Sequence, residues 1–90
     1  MTLSDKLTAI KVDLGITTGR YDERLVQYLE TAKKQIENEG VTLQDDVADG
    51  NLVVIYAAWM WRRRDTGEGM PRMVRYALNS RVIRERVNRT

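Results

Sequence analysis

Ten consecutive residues near the middle of the chain, residues 52–61 with the sequence LVVIYAAWMW, have no charged side chain among them. A helix that is apolar around its whole circumference is buried in a protein core or in a membrane. A membrane-spanning helix needs about 20 such residues. This block has half that length, and Arg62, Arg63 and Arg64 follow it at once. We therefore expect the central helix of a small domain, with the other segments packed around it.

Three other segments have apolar residues at intervals of three and four, which is the spacing of one helix face. They contain Leu3, Leu7, Ile10 and Leu14; Leu25, Leu29, Ala32 and Ile36; and Met73, Val74, Ala77 and Leu78. No segment has a convincing strand pattern. The sequence predicts an all-α domain of four helices, at about residues 4–14, 21–39, 46–65 and 71–87. The second and third helices should pack antiparallel because a short loop joins them.

Residues that favour helix ends refine these boundaries. Ser4 and Asp22 are the expected N-caps of the first two helices. Gly15 and Gly40 are the expected stops. Residues 66–71 contain two glycines and the only proline, so they form the clearest break, and Pro71 suits the first position of the fourth helix. We expect one domain with a core at residues 4–83 and an arginine-rich C-terminal tail at residues 84–90.

Composition excludes several kinds of chemistry. The chain has no cysteine, which excludes disulfides and thiolate nucleophiles, and no histidine, which is the commonest general base and metal ligand. We find no catalytic constellation and expect neither enzymatic activity nor a cofactor. The N-terminal residues lack the basic and apolar regions of a signal peptide. We expect a protein made in the cytosol that does not associate with membranes.

Charge is divided unevenly along the chain. Residues 1–60 carry six basic and ten acidic residues, a net charge of −4, whereas residues 61–90 carry nine arginines and three acids, a net charge of +6. Arginine is favoured in interface ion pairs and in phosphate recognition. Identical subunits with an acidic half and a basic half can attract each other head-to-tail, and such contacts close into rings when the rotation allows.

Two acidic or glycine-rich motifs have ordinary interpretations. Asp45, Asp46 and Asp49 resemble a metal-binding cluster. We favour the interpretation that their negative charges complement the N-terminal dipole of the third helix. Residues 67–69, Gly-Glu-Gly, lack the longer glycine pattern and the following lysine of a phosphate loop, so we favour a flexible connection between helices.

The remaining candidates are interaction residues. Trp59, Met60 and Trp61 cannot all face one core, so one tryptophan is a candidate for a subunit interface, unless other helices of the same chain cover both. The candidate subunit or partner interface comprises Trp61, Met60, Met70, Met73, Arg72 and Arg75. The candidate surface facing DNA or acidic groups comprises Arg62, Arg63, Arg64, Arg81, Arg84 and Arg86. The alternative for these arginines is a solvated helix face with ion pairs.

The order of these segments resembles the small head–tail connector, or adaptor, proteins of tailed phages and prophages. In that family the second helix typically follows the pattern D-x-x-L-x-x-x-I/L-x-x-A-x-x-x-I-E. The chain matches it, at the same spacing, with Asp22, Leu25, Leu29, Ala32, Ile36 and Glu37. Residues 77–81, Ala-Leu-Asn-Ser-Arg, resemble the family's A-L-L-N-x-x-R segment with one apolar residue fewer. The resemblance covers about residues 4–83.

The resemblance implies a structural virion protein at the head–tail junction, which passes through the host cytoplasm during assembly. Such proteins form rings of roughly twelve subunits under the portal. The ring extends the DNA channel, contacts DNA without sequence specificity, and docks stopper or tail-completion proteins. Two alternatives stay open: a small DNA-binding or packaging-associated protein that uses the arginine-rich third, and a regulatory helical module of the antitoxin kind.

Overall fold

The computed structural model describes residues 1–89, with side chains up to residue 88. Within this range the chain forms four helices and no strand, which confirms the all-α prediction. The helices are α1 (Leu3–Leu14), α2 (Asp22–Asn38), α3 (Val47–Thr66) and α4 (Arg72–Arg89). The most extensive contact joins α2 and α3, the pair expected to be antiparallel.

The apolar block forms the middle of α3, and α3 contacts each of the other helices. The helices α1 and α2 also pack on each other, whereas α4 packs mainly on α3. The α3 block supplies half of the buried apolar residues, and the predicted stripes of the other helices pack against it: Ile10 from α1, the four predicted residues of α2, and Val74 and Leu78 from α4 are buried. Each large apolar side chain buried in this way contributes about 1.5–3 kcal/mol to folding. Leu3, at the end of the α1 stripe, is exposed instead.

The two predicted N-caps are wrong. Thr2, not Ser4, caps α1: the Asp5 amide donates to the Thr2 hydroxyl at 3.0 Å, and the Thr2 amide donates to the Asp5 carboxylate at 3.1 Å. This reciprocal pair is a capping box, which satisfies two amides that have no partner within the helix. Asp22 is the first residue of α2 rather than its cap, and its carboxylate lies 2.8 Å from the Lys11 ammonium.

The predicted glycine stops are confirmed. Gly15 caps α1 with a φ of 70°, and Gly40, with a φ of 94°, follows the C-cap of α2. These left-handed conformations cost least in glycine, which has no Cβ. Pro71 precedes α4 instead of occupying its first position, and its carbonyl accepts from the Arg75 amide at 3.0 Å.

The fourth helix begins one residue later and ends two residues later than predicted. It continues without a break to Arg89, so residues 84–89, expected as a tail, are its last turns. The last residue of the expected tail, Thr90, lies outside the described residues. None of the helices in residues 1–89 has the length and apolar character needed to cross a membrane.

Candidate interaction surface on the fourth helix

A buried ion pair fixes α4 against α3. Asp49 lies in the first turn of α3 and Arg81 in the middle of α4, and their exposed fractions are only 2% and 6%. The Arg81 guanidinium donates through Nε to one Asp49 carboxylate oxygen at 2.8 Å and through Nη2 to the other at 3.2 Å. This two-point contact sets both the position of α4 along α3 and its rotation, because a fork of donors matches the plane of a carboxylate.

The same ion pair also holds the loop between α2 and α3. Arg81 Nη2 donates to the Thr42 carbonyl at 2.9 Å, and the Gln44 amide donates to Asp49 at 2.7 Å. Glu85, one turn beyond Arg81, accepts from Arg81 Nη1 at 3.0 Å and from the Thr42 amide at 2.8 Å. The buried charges are therefore paired and hydrogen-bonded, which is the condition under which burial of charge is tolerated.

The pKa values of this cluster follow from its hydrogen bonds. Burial raises the pKa of Asp49, but the hydrogen bonds from Arg81 and the Gln44 amide outweigh it, so the pKa lies below its ordinary value of 3.8. The hydrogen bond to the Thr42 amide, followed by that to Arg81, lowers the pKa of Glu85 from 4.5 to about 2. The hydrogen bond to Asp49 raises the pKa of Arg81. All three groups stay charged near neutral pH.

With its inner face fixed in this way, α4 presents a second apolar face to solvent. Met73, Tyr76, Ile83 and Val87 have exposed fractions of 80%, 73%, 61% and 64%. Together with the exposed Ser80 they recur at intervals of three, four, three and four residues, so they fall within an arc of about 80°. We call these five residues the outer stripe. An exposed stripe with apolar side chains at four of its five positions is typical of a helix that docks on another protein surface.

The outer stripe borders a groove between α3 and α4. One section of the groove has a volume of about 400 Å³ and is lined mostly by apolar side chains, among them Ile55, Ala58, Met73, Tyr76 and Ala77. Arg72, Arg75 and Arg86 are exposed on the outer side of α4. The surface therefore combines apolar area with positive charge, which is the composition of many protein interfaces.

The arginine run after the apolar block is largely engaged within the chain. The guanidinium of Arg63 lies 5.0 Å from the centre of the Trp59 ring, and that of Arg64 lies 3.7 Å from the centre of the Trp61 ring. Arg62 lies 3.6 Å from a Glu68 carboxylate oxygen. These contacts favour the interpretation of a helix face with ion pairs and stacked guanidinium groups.

The predicted site residues fall into three groups. Trp59 and Trp61 are both buried within the chain, at 6% and 8% exposure, so Trp61 is not available as an interface residue. Its ring packs edge-on against Tyr21 and Tyr28, which explains why no second subunit is needed to cover it. Met60 and Met70 are half-buried against the core. The predicted interface residues exposed on α4 are Met73, Arg72 and Arg75.

Arg81 was expected to face DNA or another acidic partner, and that prediction is wrong for any external partner. Its guanidinium is buried and held by Asp49, Glu85 and the Thr42 carbonyl. Arg84 is exposed and lies 3.5 Å from Asp49, so it is partly drawn into the same cluster. Arg86 is exposed, as expected.

The sequence interpretation missed Tyr76, Ile83 and Val87 as surface residues. Their spacing from Met73 indicates one side of a helix. The same helix also carries the inner positions 74, 78, 81 and 85, however, and the two patterns overlap in the sequence. The Asp49–Arg81 pair had no signal, because 32 residues separate its members and Asp49 already had an explanation at a helix N-terminus.

The aspartates at the start of α3 and just before it are engaged in other contacts. Asp45 lies 3.4 Å from the N-terminal amine, Asp46 caps α3 through the Asp49 amide, and Asp49 is paired with Arg81. Among the described residues, no group of three or more carboxylates is placed to hold a metal ion.

Comparison of the chain with known protein families, with curated proteins and with solved structures returned no match.

Replacing Arg81 should destabilise the domain strongly. We expect Arg81→Met to lower the free energy of unfolding by about 3–5 kcal/mol, because it leaves Asp49 buried without its partner. Urea denaturation measures the loss. Arg86→Met is the matched control, since Arg86 is exposed and forms no ion pair among the described residues, and it should change stability by at most about 0.5 kcal/mol. Equal effects of the two changes would contradict this role for the ion pair.

The cluster should also make the domain sensitive to acid. The pKa of Glu85 is lower in the folded chain, about 2, than its ordinary value of 4.5, so the unfolded state binds the proton first. Its stabilising contribution is complete above pH 4.5 and is lost as the pH falls towards 2. Urea unfolding across this interval should show a decline in the free energy of unfolding as the pH falls. The Glu85→Gln variant should show a smaller decline, whereas the exposed-surface control Glu30→Gln should show the same decline as the natural chain. A decline of the same size in Glu85→Gln would contradict the assignment.

Proposed function

We propose that this chain is a structural, non-enzymatic subunit of a phage head–tail connector, and that it assembles into a ring. The outer stripe of α4 is the observation that carries the proposal. A monomeric domain gains nothing from four large apolar side chains exposed along one arc of a helix, whereas a subunit of an oligomer buries them. The resemblance of residues 4–83 to connector proteins supplies the biological setting.

The size of the core supports an assembled state. A chain of 90 residues buries only about 60% of the surface that its unfolded form exposes, so contacts between subunits add stability that the single domain lacks. The α4 helix is also the least embedded helix, because it packs mainly on α3. A neighbouring subunit on the outer side of α4 would bury this helix on both sides.

The ring would act through position and shape. In the proposed virion setting it lies at the head–tail junction beneath the portal protein, extends the channel through which DNA passes, and offers a platform to stopper or tail-completion proteins. Arginines left exposed in the assembly would line or border the channel and contact phosphates without reading sequence.

The outer stripe can be tested by removing its apolar character. We expect light scattering behind a sizing column to give a mass of about ten or more subunits for the natural chain. The triple variant Met73→Ser, Tyr76→Ser, Ile83→Ser should be a monomer with the same helical circular dichroism, because these side chains contribute little to the core of one subunit.

A matched control uses three apolar residues that are exposed elsewhere. The variant Leu3→Ser, Val12→Ser, Val47→Ser removes exposed apolar groups from α1 and from the start of α3, and it should assemble like the natural chain. Loss of assembly in both triple variants would indicate a non-specific apolar effect. A natural chain that stays monomeric and does not bind a cognate portal would contradict the connector proposal.

DNA binding is the second candidate, favoured by Arg72, Arg75 and Arg86, which are exposed and form no ion pair among the described residues. If these arginines contact phosphates, the affinity for duplex DNA should fall steeply as salt rises. Replacing all three with glutamine should then reduce the slope of log K against log salt by about 2.7, at about 0.9 for each contact. An unchanged slope, measured by fluorescence anisotropy, would exclude these residues from DNA binding.

A further inference from the structure

The arginines of α4 differ from the other arginines of the chain. Every arginine outside α4 has a side-chain contact: Arg20 lies over Tyr21, Arg24 donates to Gln27, and residues 62–64 are engaged as described above. On α4, Arg81 and Arg84 contact Asp49. Among the side chains that the structure describes, the arginines left without an ion pair, hydrogen bond or ring contact are Arg72, Arg75 and Arg86. All three lie on the outer side of α4.

Most surface carboxylates are engaged as well. Capping bonds or ion pairs occupy Asp5, Asp22, Asp45, Asp46, Asp65, Glu68 and Glu85. Within residues 1–88, the acidic side chains without such a partner are Asp13, Glu23, Glu30, Glu37 and Glu39. Four of these five belong to α2 or to its C-cap. The acidic side chains without a partner are therefore concentrated on α2 and its C-cap, as the arginines without a partner are on α4.

The glutamates of α2 form a row. Glu23, Glu30 and Glu37 are exposed and recur every seven residues, so they lie along one edge of the helix over about 21 Å. Arg72 and Arg86 are also separated by 14 residues, which gives the same length of about 21 Å, with Arg75 between them. Lys33 and Lys34 are exposed between Glu30 and Glu37 on the same face, but in the described part of the chain neither forms an ion pair with the glutamates. The two rows match in length and are opposite in charge.

In the described part of one subunit, the two rows form no ion pair with each other. On α2, Gln35 faces α3, because its side chain accepts a hydrogen bond of 2.7 Å from the Tyr56 hydroxyl. Glu30 precedes Gln35 by five residues and so lies about 140° away around the helix. No ion pair joins the glutamate row to α4 among the described residues. A contact between the rows therefore requires a second copy of the chain.

We propose that the outer side of α4 in one subunit, which carries Arg72, Arg75 and Arg86, docks on the edge of α2 in the next subunit that carries Glu23, Glu30 and Glu37. The subunits would then join head-to-tail. Pairing of two α4 faces is disfavoured, because it would bring arginines against arginines. Each subunit then uses one basic and one acidic surface, which is the arrangement that propagates around a ring. The inference rests on the proposed function, because it names the surfaces through which the ring would close.

Charge reversal tests the contact directly. One variant reverses the basic row (Arg72→Glu, Arg75→Glu, Arg86→Glu) and a second reverses the acidic row (Glu23→Arg, Glu30→Arg, Glu37→Arg). Each variant alone should assemble at least about tenfold more weakly, because three attractive pairs become repulsive. An equimolar mixture should recover assembly, since alternating subunits join the two reversed surfaces at one contact and the two natural surfaces at the next. Light scattering and native mass spectrometry give the masses, and circular dichroism monitors folding.

The recovery in the mixture keeps the test independent of any effect on folding, because a misfolded variant cannot be rescued by its partner. If the natural chain assembles and both variants alone assemble equally well, the α2–α4 contact is wrong although the ring stands. If both variants are monomers and their mixture stays monomeric, the contact is also wrong.

Cysteine cross-linking tests the α2–α4 contact even if the contact is too weak to give a stable oligomer. The chain has no cysteine, so Glu30→Cys combined with Asn79→Cys supplies one thiol in the glutamate row and one on α4 between Arg75 and Arg86. Mild oxidation should yield a ladder of covalent oligomers, whereas Thr8→Cys combined with Asn79→Cys, which places the first thiol on α1, should not. If the natural chain forms no oligomer and neither pair cross-links at high protein concentration, both the contact and the proposed function are overturned.

Discussion

The fold depends on the burial of a helix that is apolar around most of its circumference. No single neighbour can cover such a helix, so α1, α2 and α4 all pack against α3. The helices α1 and α2 also support each other, which leaves α4 as the helix with the smallest share of the core. Its inner side contributes Val74 and Leu78, and the polar cluster around Asp49 completes the contact. The apolar helix thus explains both the compact three-helix part and the more peripheral fourth helix.

The buried ion pair gives α4 a defined orientation that apolar packing alone would specify less well. Arg81 links α4 to α3 through Asp49 and to the α2–α3 loop through the Thr42 carbonyl. Because the pair fixes the rotation of α4, it also determines which residues form the outer stripe. The inner face and the proposed docking face are therefore coupled through one guanidinium, although the docking residues themselves make no contact with Asp49 in the described cluster.

The proposed assembly accounts for three features together. These are the outer stripe, the concentration of unpaired arginines on α4, and the row of glutamates on α2. Any one of them is common on protein surfaces. Their combination on one small helical domain favours repeated head-to-tail contact, because each subunit then presents both a basic and an acidic surface to its neighbours. A phage connector is the biological setting that the sequence resemblance suggests for such a ring.

The sequence by itself determined the four helices, the central position of α3, the stops at Gly15 and Gly40, and the core residues of α2, because periodicity and end signals are local properties of the chain. Only the tertiary structure decided the partners of Asp49 and Arg81, the burial of both tryptophans, and which side of α4 faces solvent. These depend on residues far apart in sequence. A helix with apolar or half-buried positions on two sides, such as α4, does not reveal from its own pattern which side the rest of the chain will cover.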